Sequence, residues 1–169
     1  MRFVLALAVI ALLPMRATAQ APQVDAISII DFGVYSVVRV RTEEAAGTAY
    51  GRVGIMNDIK LVRHTDIICA QLGQSFGLEF QLAGAPGGKT VPLEWITAFP
   101  APGVRSPKGQ YFLKSKLSRD AVIGGRSFRF YTFDEIWEMV PGEWIFEFHY
   151  RGRKLGEKRF TVKTACEVS

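Results

Sequence analysis

Residues 73–82 read GQSFGLEFQL, and two readings compete for them. Gly73-Gln74-Ser75-Phe76-Gly77 matches G-x-S-x-G, the nucleophile elbow of serine hydrolases, in which the serine sits on a sharp turn between a strand and a helix. The same stretch sets Phe76, Leu78, Phe80 and Leu82 at every second position, with Gly77, Glu79 and Gln81 between them. Period two puts four large apolar side chains on one face of a strand, whereas a helix would scatter them around its axis. The alternation begins directly after the serine, so no helix follows it. The stretch therefore predicts a strand, entered through glycines that let the backbone bend or pack closely. A hydrolase would also need Ser75 to meet His149, with Asp120 or Asp134 behind it. His149 falls on the outward parity of its own strand, and the chain has none of the βαβ units of that fold.

The same period recurs along the chain. Ile30, Phe32, Val34, Val38 and Val40 form the apolar parity of a segment running to Arg41. Asp58 to Ile68 reads as a strand whose apolar parity is broken at Arg63. Val91, Leu93 and Trp95 alternate, as do Trp144, Phe146, Phe148 and Tyr150; Phe160 and Val162 close the series as an inward pair. Phe128 and Phe130 begin a further strand that ends near Thr132, and Tyr111 to Leu117 holds a short one. Turn signals separate these runs: AGAPGGK (83–89), the proline-rich FPAPGVRSPKG (99–109), Gly124-Gly125 and Arg151-Gly152-Arg153-Lys154. FDEIWEMVPG (133–142) is the one candidate helical turn. About seven strands without a long amphipathic helix predict an all-β fold, a single antiparallel β-sandwich, with a small barrel as the alternative.

The first residues, MRFVLALAVIALLPMRATAQ, carry a positive start, an apolar run from Phe3 to Leu13, and Ala17-Thr18-Ala19 as a small-x-small cleavage site. This is the pattern of a secretory signal peptide, and the apolar run is too short to span a bilayer. The expected division is a signal peptide over 1–19 and one domain over 20–169, periplasmic or secreted and not membrane-spanning. Formal charge is +5 for the whole chain; without Arg2 and Arg16, 19 basic residues face 16 acidic ones. That balance does not point to nucleic acid. Cys69 and Cys166 are the only cysteines, and an even pair in an oxidising compartment predicts a Cys69–Cys166 disulfide.

Other motifs fail on spacing. Gly84 to Thr90 imitates a phosphate loop but has three residues where G-x4-G-K-[ST] needs four, and a strand follows rather than a helix; a hairpin loop accounts for it. His64 and Asp66 are two potential zinc ligands without a third. Glu135, Glu138 and Glu143, around Trp137 and Trp144, read as solvated charges at a turn rather than a glycosidase pair. No cofactor motif is present. The feature that stands is basic: Arg151, Arg153, Lys154, Lys158 and Arg159 on the last hairpin, and a second run of Arg105, Lys108, Lys114, Lys116 and Arg119. Such a surface suits an acidic envelope protein, an anionic lipid or a glycan, or else protects an edge strand against aggregation.

The segment WEMVPGEWIFEFHYRGRKLGEKRFTV, with Phe-Gly-Val-Tyr at 32–35 and FGLEF at 76–80, resembles an uncharacterised family of small exported bacterial proteins known only as a domain of unknown function. The resemblance covers most of the chain after residue 19. It implies an immunoglobulin-like sandwich outside the cytoplasm and brings no catalytic residues. The expected function is a non-enzymatic binding or accessory module. The alternatives are a small hydrolase using Ser75 and a chaperone-like module that offers a strand edge to a client.

Overall fold

A computed structural model describes residues 21–164. The expected signal peptide and Cys166 lie outside the described residues. Two sheets face each other. The first has the order β2 (Arg52–His64), β1 (Gln23–Glu44), β4 (Ser75–Ala85), β9 (Arg126–Thr132). The second has the order β3 (Ile67–Cys69), β11 (Arg153–Lys163), β10 (Gly142–Tyr150), β5 (Thr90–Ala98), β8 (Lys114–Val122). A two-stranded ribbon, β6 (Val104–Arg105) with β7 (Tyr111–Phe112), and one 3-10 turn (Ile136–Glu138) complete it. The all-β sandwich is as expected, but the described residues hold eleven strands rather than about seven. Pairing is antiparallel apart from β3 on β11 and an isolated bridge between Leu82 and Ile123.

The core is where period two placed it. Phe76, Leu78, Phe80 and Leu82 are buried from one sheet, and Trp144, Phe146, Phe148, Phe160 and Val162 from the other. Phe76 joins the layers, with its ring 5.6 Å from Phe146 and 5.3 Å from Phe160 by centroid. Burying each such side chain contributes about 1.5–3 kcal/mol. Both glycines of the opening stretch have work to do. Gly73 turns with φ +78°, and a Cβ on Gly77 would run into the Arg129 carbonyl of β9. Ser75 itself is buried and shares a 2.7 Å hydrogen bond with the Thr132 hydroxyl.

Three expectations need correction. The loop at 84–90 is not a hairpin: it carries the chain from β4 in one sheet to β5 in the other, tied by Gly88 N–H to the Ile123 carbonyl at 2.8 Å. The even-numbered face of β1 is not uniformly inward. Ile30, Val38 and Val40 are 40, 51 and 54% exposed, because slips in register at Ile29/Asp31, Val34/Tyr35 and beyond change which parity faces the core. Glu138 is not solvated: it is 4% exposed and accepts hydrogen bonds from the Tyr131 hydroxyl (2.8 Å) and from the Asp134 and Glu135 N–H groups (2.7 and 2.9 Å).

The slips in β1 have an architectural result. β1 pairs with β4 up to Tyr35 on one edge and with β2 from Gly33 onward on the other, so Gly33–Tyr35 have both partners. The part of β1 after Tyr35 and the part of β2 before Leu61 thus form a two-stranded arm that continues past the last β4 partner. The arm's tip, residues 45–51, reaches the other sheet. Lys116 N–H of β8 donates to the Gly47 carbonyl at 2.8 Å, and Ala49 N–H to the Ser115 hydroxyl at 3.2 Å. A Cβ on Gly47 would overlap the Lys116 carbonyl, so only glycine permits this approach.

Candidate binding cavity under the arm

A sandwich exposes its interior along the side where two edge strands meet without pairing. Here those strands are β9 and β8, the edges of the two sheets, and the arm crosses that side. Between arm and sandwich lies a cavity of about 350 Å³, at the small end of the range for small-molecule sites. Alternation along each strand supplies its lining. Arg129 of β9 faces inward because it stands opposite Leu78, and Tyr131 because it stands opposite Phe76. Trp95 of β5 shares the inward parity of Leu93 and Thr97, both buried. Leu117 and Arg119 of β8 follow the parity of buried Ser115 and Ala121. All five line the cavity, together with Val53 and Ile55 from the arm.

The arm is held by charge and stacking. Glu43 accepts from Arg119 at 2.9 Å and from Arg41 at 3.0 Å, and the Arg119 bond is the main reason its carboxyl lies below the usual range. Arg39 grips Asp134 through 2.6 and 2.7 Å contacts, while Tyr50 packs on Trp137 with centroids 5.7 Å apart. Each exposed ion pair contributes about 0–1 kcal/mol, so the arm rests on several weak ties.

Arg129 differs from the other cations of the lining. It is 9% exposed. Its Nη1 donates to the Phe130 carbonyl and its Nη2 to the Thr97 hydroxyl at 2.7 Å. Its guanidinium carbon stands 5.0 Å from the Phe146 ring centroid and 5.6 Å from that of Trp95. Among the described residues no carboxylate pairs with it. Burial pushes its pKa down to about 10; Tyr131 pulls it up and Arg119 lowers it further. It therefore stays charged at neutral pH, in an interior where an unpaired charge is expensive. Three buried polar atoms lack a hydrogen-bond partner among the described residues: Tyr35 Oη, Trp95 Nε1 and Arg129 Nε. Two of the three belong to side chains lining this one cavity.

The residues singled out from sequence lie elsewhere. Ser75 is spent on Thr132, and the His149 ring on Glu147 at 3.0 Å. The two are not brought together: Ser75 precedes Phe76, which meets Trp144, whereas His149 follows Phe148, which meets Phe80. His64 bonds Asp31 at 2.6 Å, and no group of three potential metal ligands exists among the described residues. On the basic hairpin, Lys154 meets Glu147 and Glu157, and Arg159 meets Glu157 and Glu143. Arg153 donates to the Val24 and Asp25 carbonyls. Arg151 lies over Tyr150, and the Lys158 ammonium sits 3.3 Å from the Phe32 ring centroid, its pKa lowered by burial. Cys69 ends β3 opposite Lys163 of β11; its expected partner, Cys166, is outside the described residues. No helix among the described residues is long and apolar enough to cross a membrane.

A family model described as a domain of unknown function, DUF3859, matches residues 23–162. The chain belongs to that family. The match takes in both sheets and the arm, so the cavity lies wholly within the DUF3859 domain. Among solved structures, the chain is similar to an immunoglobulin-like protein (PA1606) from Pseudomonas aeruginosa, at 29% identity and a TM-score of 0.59, covering 86% of this chain and 100% of that one. That similarity agrees with the sandwich described above. A second structure, the alkylpurine DNA glycosylase AlkC of Pseudomonas fluorescens bound to DNA containing an abasic site analog, aligns at 17% identity and a TM-score of 0.40, over 59% of this chain and 28% of that one; a likeness at that level carries no argument. Comparison with curated proteins yields no match.

Proposed function

We propose that this DUF3859 chain is an exported, non-catalytic binding module that takes a small molecule into the cavity beneath its β1–β2 arm. The observation that carries the reading is a cavity in the open side of the sandwich, roofed by an arm whose tip hydrogen-bonds to the far sheet. A strand pair that only filled out the core would bury its apolar side chains there. This one leaves Val38 and Val40 facing solvent and encloses charged groups, Arg39, Arg41 and Glu43, beside Val53 and Ile55. The reading assigns the ligand to the cavity rather than to the basic hairpin, since Lys154 and Arg159 there already have carboxylate partners. Export rests on the leader-like first 19 residues, and a Cys69–Cys166 disulfide belongs to the same reading. The Cys69–Lys163 register brings the end of β11 beside the first cysteine, three residues before the second.

The test is native mass spectrometry of the chain recovered from the periplasm without refolding. The expected result is a species carrying an added small mass, with a protein mass beginning at Gln20. A bare chain, together with tryptophan emission that no small molecule of any charge alters, would refute the reading.

A further inference from the structure

We propose that the ligand of this cavity is a small organic anion, a carboxylate or comparable singly charged oxyanion on an apolar body, drawn in by the buried guanidinium charge of Arg129 beside Trp95. The proposal rests on the binding reading above and adds the chemistry of what is bound.

The argument is one of unmet demand. Two N–H donors are buried without acceptors, and the guanidinium that carries one lies 5.6 Å from the indole ring that carries the other. Both side chains line the same cavity. A buried donor left unsatisfied costs more than a made hydrogen bond returns. Neither nitrogen opens onto the cavity, so what an anion there answers is the guanidinium charge itself, in an interior where screening is weak.

The charge argues for one negative unit. Arg39 is matched by Asp134, Arg41 and Arg119 share Glu43, and Glu138 is held by the Tyr131 hydroxyl and two backbone N–H groups. Arg129 is the lining cation that is both buried and without a carboxylate partner among the described residues. An anion would neutralise it where solvent screening is weak.

The body of the ligand follows from the remaining walls. Trp95, Leu117, Val53 and Ile55 offer apolar surface next to the donors, and the roughly 350 Å³ of space admits a small ring or short chain rather than a peptide or sugar polymer.

The test uses the purified chain, with benzoate as probe, benzamide as its uncharged counterpart and inorganic phosphate as an anion without an apolar body. Binding is followed by the NMR signals of the Trp95 Nε1–H and Arg129 Nε–H groups, which need no mutation. Expected is saturable movement of both signals with benzoate as the anion settles beside them, preferred over benzamide and over phosphate by about tenfold or more. Arg129→Met should abolish the preference for benzoate over benzamide. Equal binding of benzoate and benzamide would overturn the proposal and leave the binding cavity standing. Phosphate binding as well as benzoate would overturn the apolar body. Binding of none of the three would overturn the proposal, and the native mass measurement separately decides the broader reading. An unchanged benzoate preference in a folded Arg129→Met variant would also overturn it.

Discussion

Arg129→Met asks whether the buried guanidinium holds the sandwich together or is a cost the sandwich carries. The two terms can be set against each other. Burial moves the group from 12.5 to about 10, and at about 1.4 kcal/mol per unit this penalises the cation by about 3 kcal/mol. On the other side stand its hydrogen bonds to the Phe130 carbonyl and the Thr97 hydroxyl. A charged donor contributes about 1.5–3 kcal/mol for each, and part of that is recovered if the freed acceptors reach water in the cavity. Methionine keeps the apolar stem between Leu78 and the rings of Trp95 and Phe146. The terms nearly cancel, so the free chain should change in stability by no more than about 2 kcal/mol. A buried ion pair behaves otherwise, and removing one partner costs about 3–5 kcal/mol. The assay is equilibrium unfolding in urea at pH 7, followed by tryptophan emission, with the slope compared as well as the midpoint. A loss above about 4 kcal/mol at unchanged slope would show that Arg129 is a structural clamp between the sheets, and the accounting here would be wrong.

Other outcomes follow from the same geometry. Phe76→Ala removes a ring that meets Tyr131, Phe133, Trp144, Phe146 and Phe160 and should cost about 3–5 kcal/mol in urea unfolding; a loss below about 1 kcal/mol would contradict the packing described. Gly47→Val should push the arm tip off β8, seen as faster hydrogen exchange at the Lys116 amide with global stability reduced by less than about 2 kcal/mol; unaltered exchange there would mean the tip is held by something else. Burial raises the Glu138 carboxyl above its ordinary 4.5, so the folded state holds that proton more tightly than the unfolded chain. Its contribution is therefore full below 4.5 and is lost as pH rises through the raised value. Glu138→Gln should remove that part of the decline, measured as urea midpoints from pH 4 to 8, and curves that stay parallel would count against it. Non-reducing peptide mapping should recover Cys69 and Cys166 in one linked peptide, and Cys69→Ser should cost about 4–5 kcal/mol for a loop of roughly 100 residues; separate free-thiol peptides from the oxidised chain would exclude the bond.

Why the core was legible and the cavity was not can be traced to particular strands. Phe76 to Leu82 and Trp144 to Tyr150 announce themselves because each has one wholly apolar parity, and a half-buried strand needs nothing more. β9 offers a misleading choice. In Arg126–Thr132, Phe128 and Phe130 are the apolar parity, yet Ser127, Arg129 and Tyr131 stand opposite Phe80, Leu78 and Phe76 and so take the inner face. Phe128 and Phe130 stack on each other, and Phe130 on Tyr35, on the outer side of the sheet. Their cover there is Tyr35, more than ninety positions earlier in the chain, and the arm, beneath which both also line the cavity; a local window weighs neither.

β1 shows the second limit. Its apolar parity is real from Ile30 to Val40, but a register slip is invisible to composition, and each slip exchanges the two faces. Once the strand has passed Tyr35 its partner changes from β4 to β2, so the same apolar residues lie on an arm instead of in a core. That exchange builds the cavity. A β1 that ended at Tyr35 would leave β8 and β9 facing water and Arg129 solvated at an open edge. Continued as an arm, it closes over Arg129 and Trp95 and leaves the Nε of one and the Nε1 of the other without an acceptor. The buried guanidinium and the overlong strand, unremarkable apart, are thus two halves of one arrangement. Shortening the arm should return the Arg129 pKa toward its ordinary value as water reaches it, with the drop to about 10 persisting only if the sheets alone enclose the group.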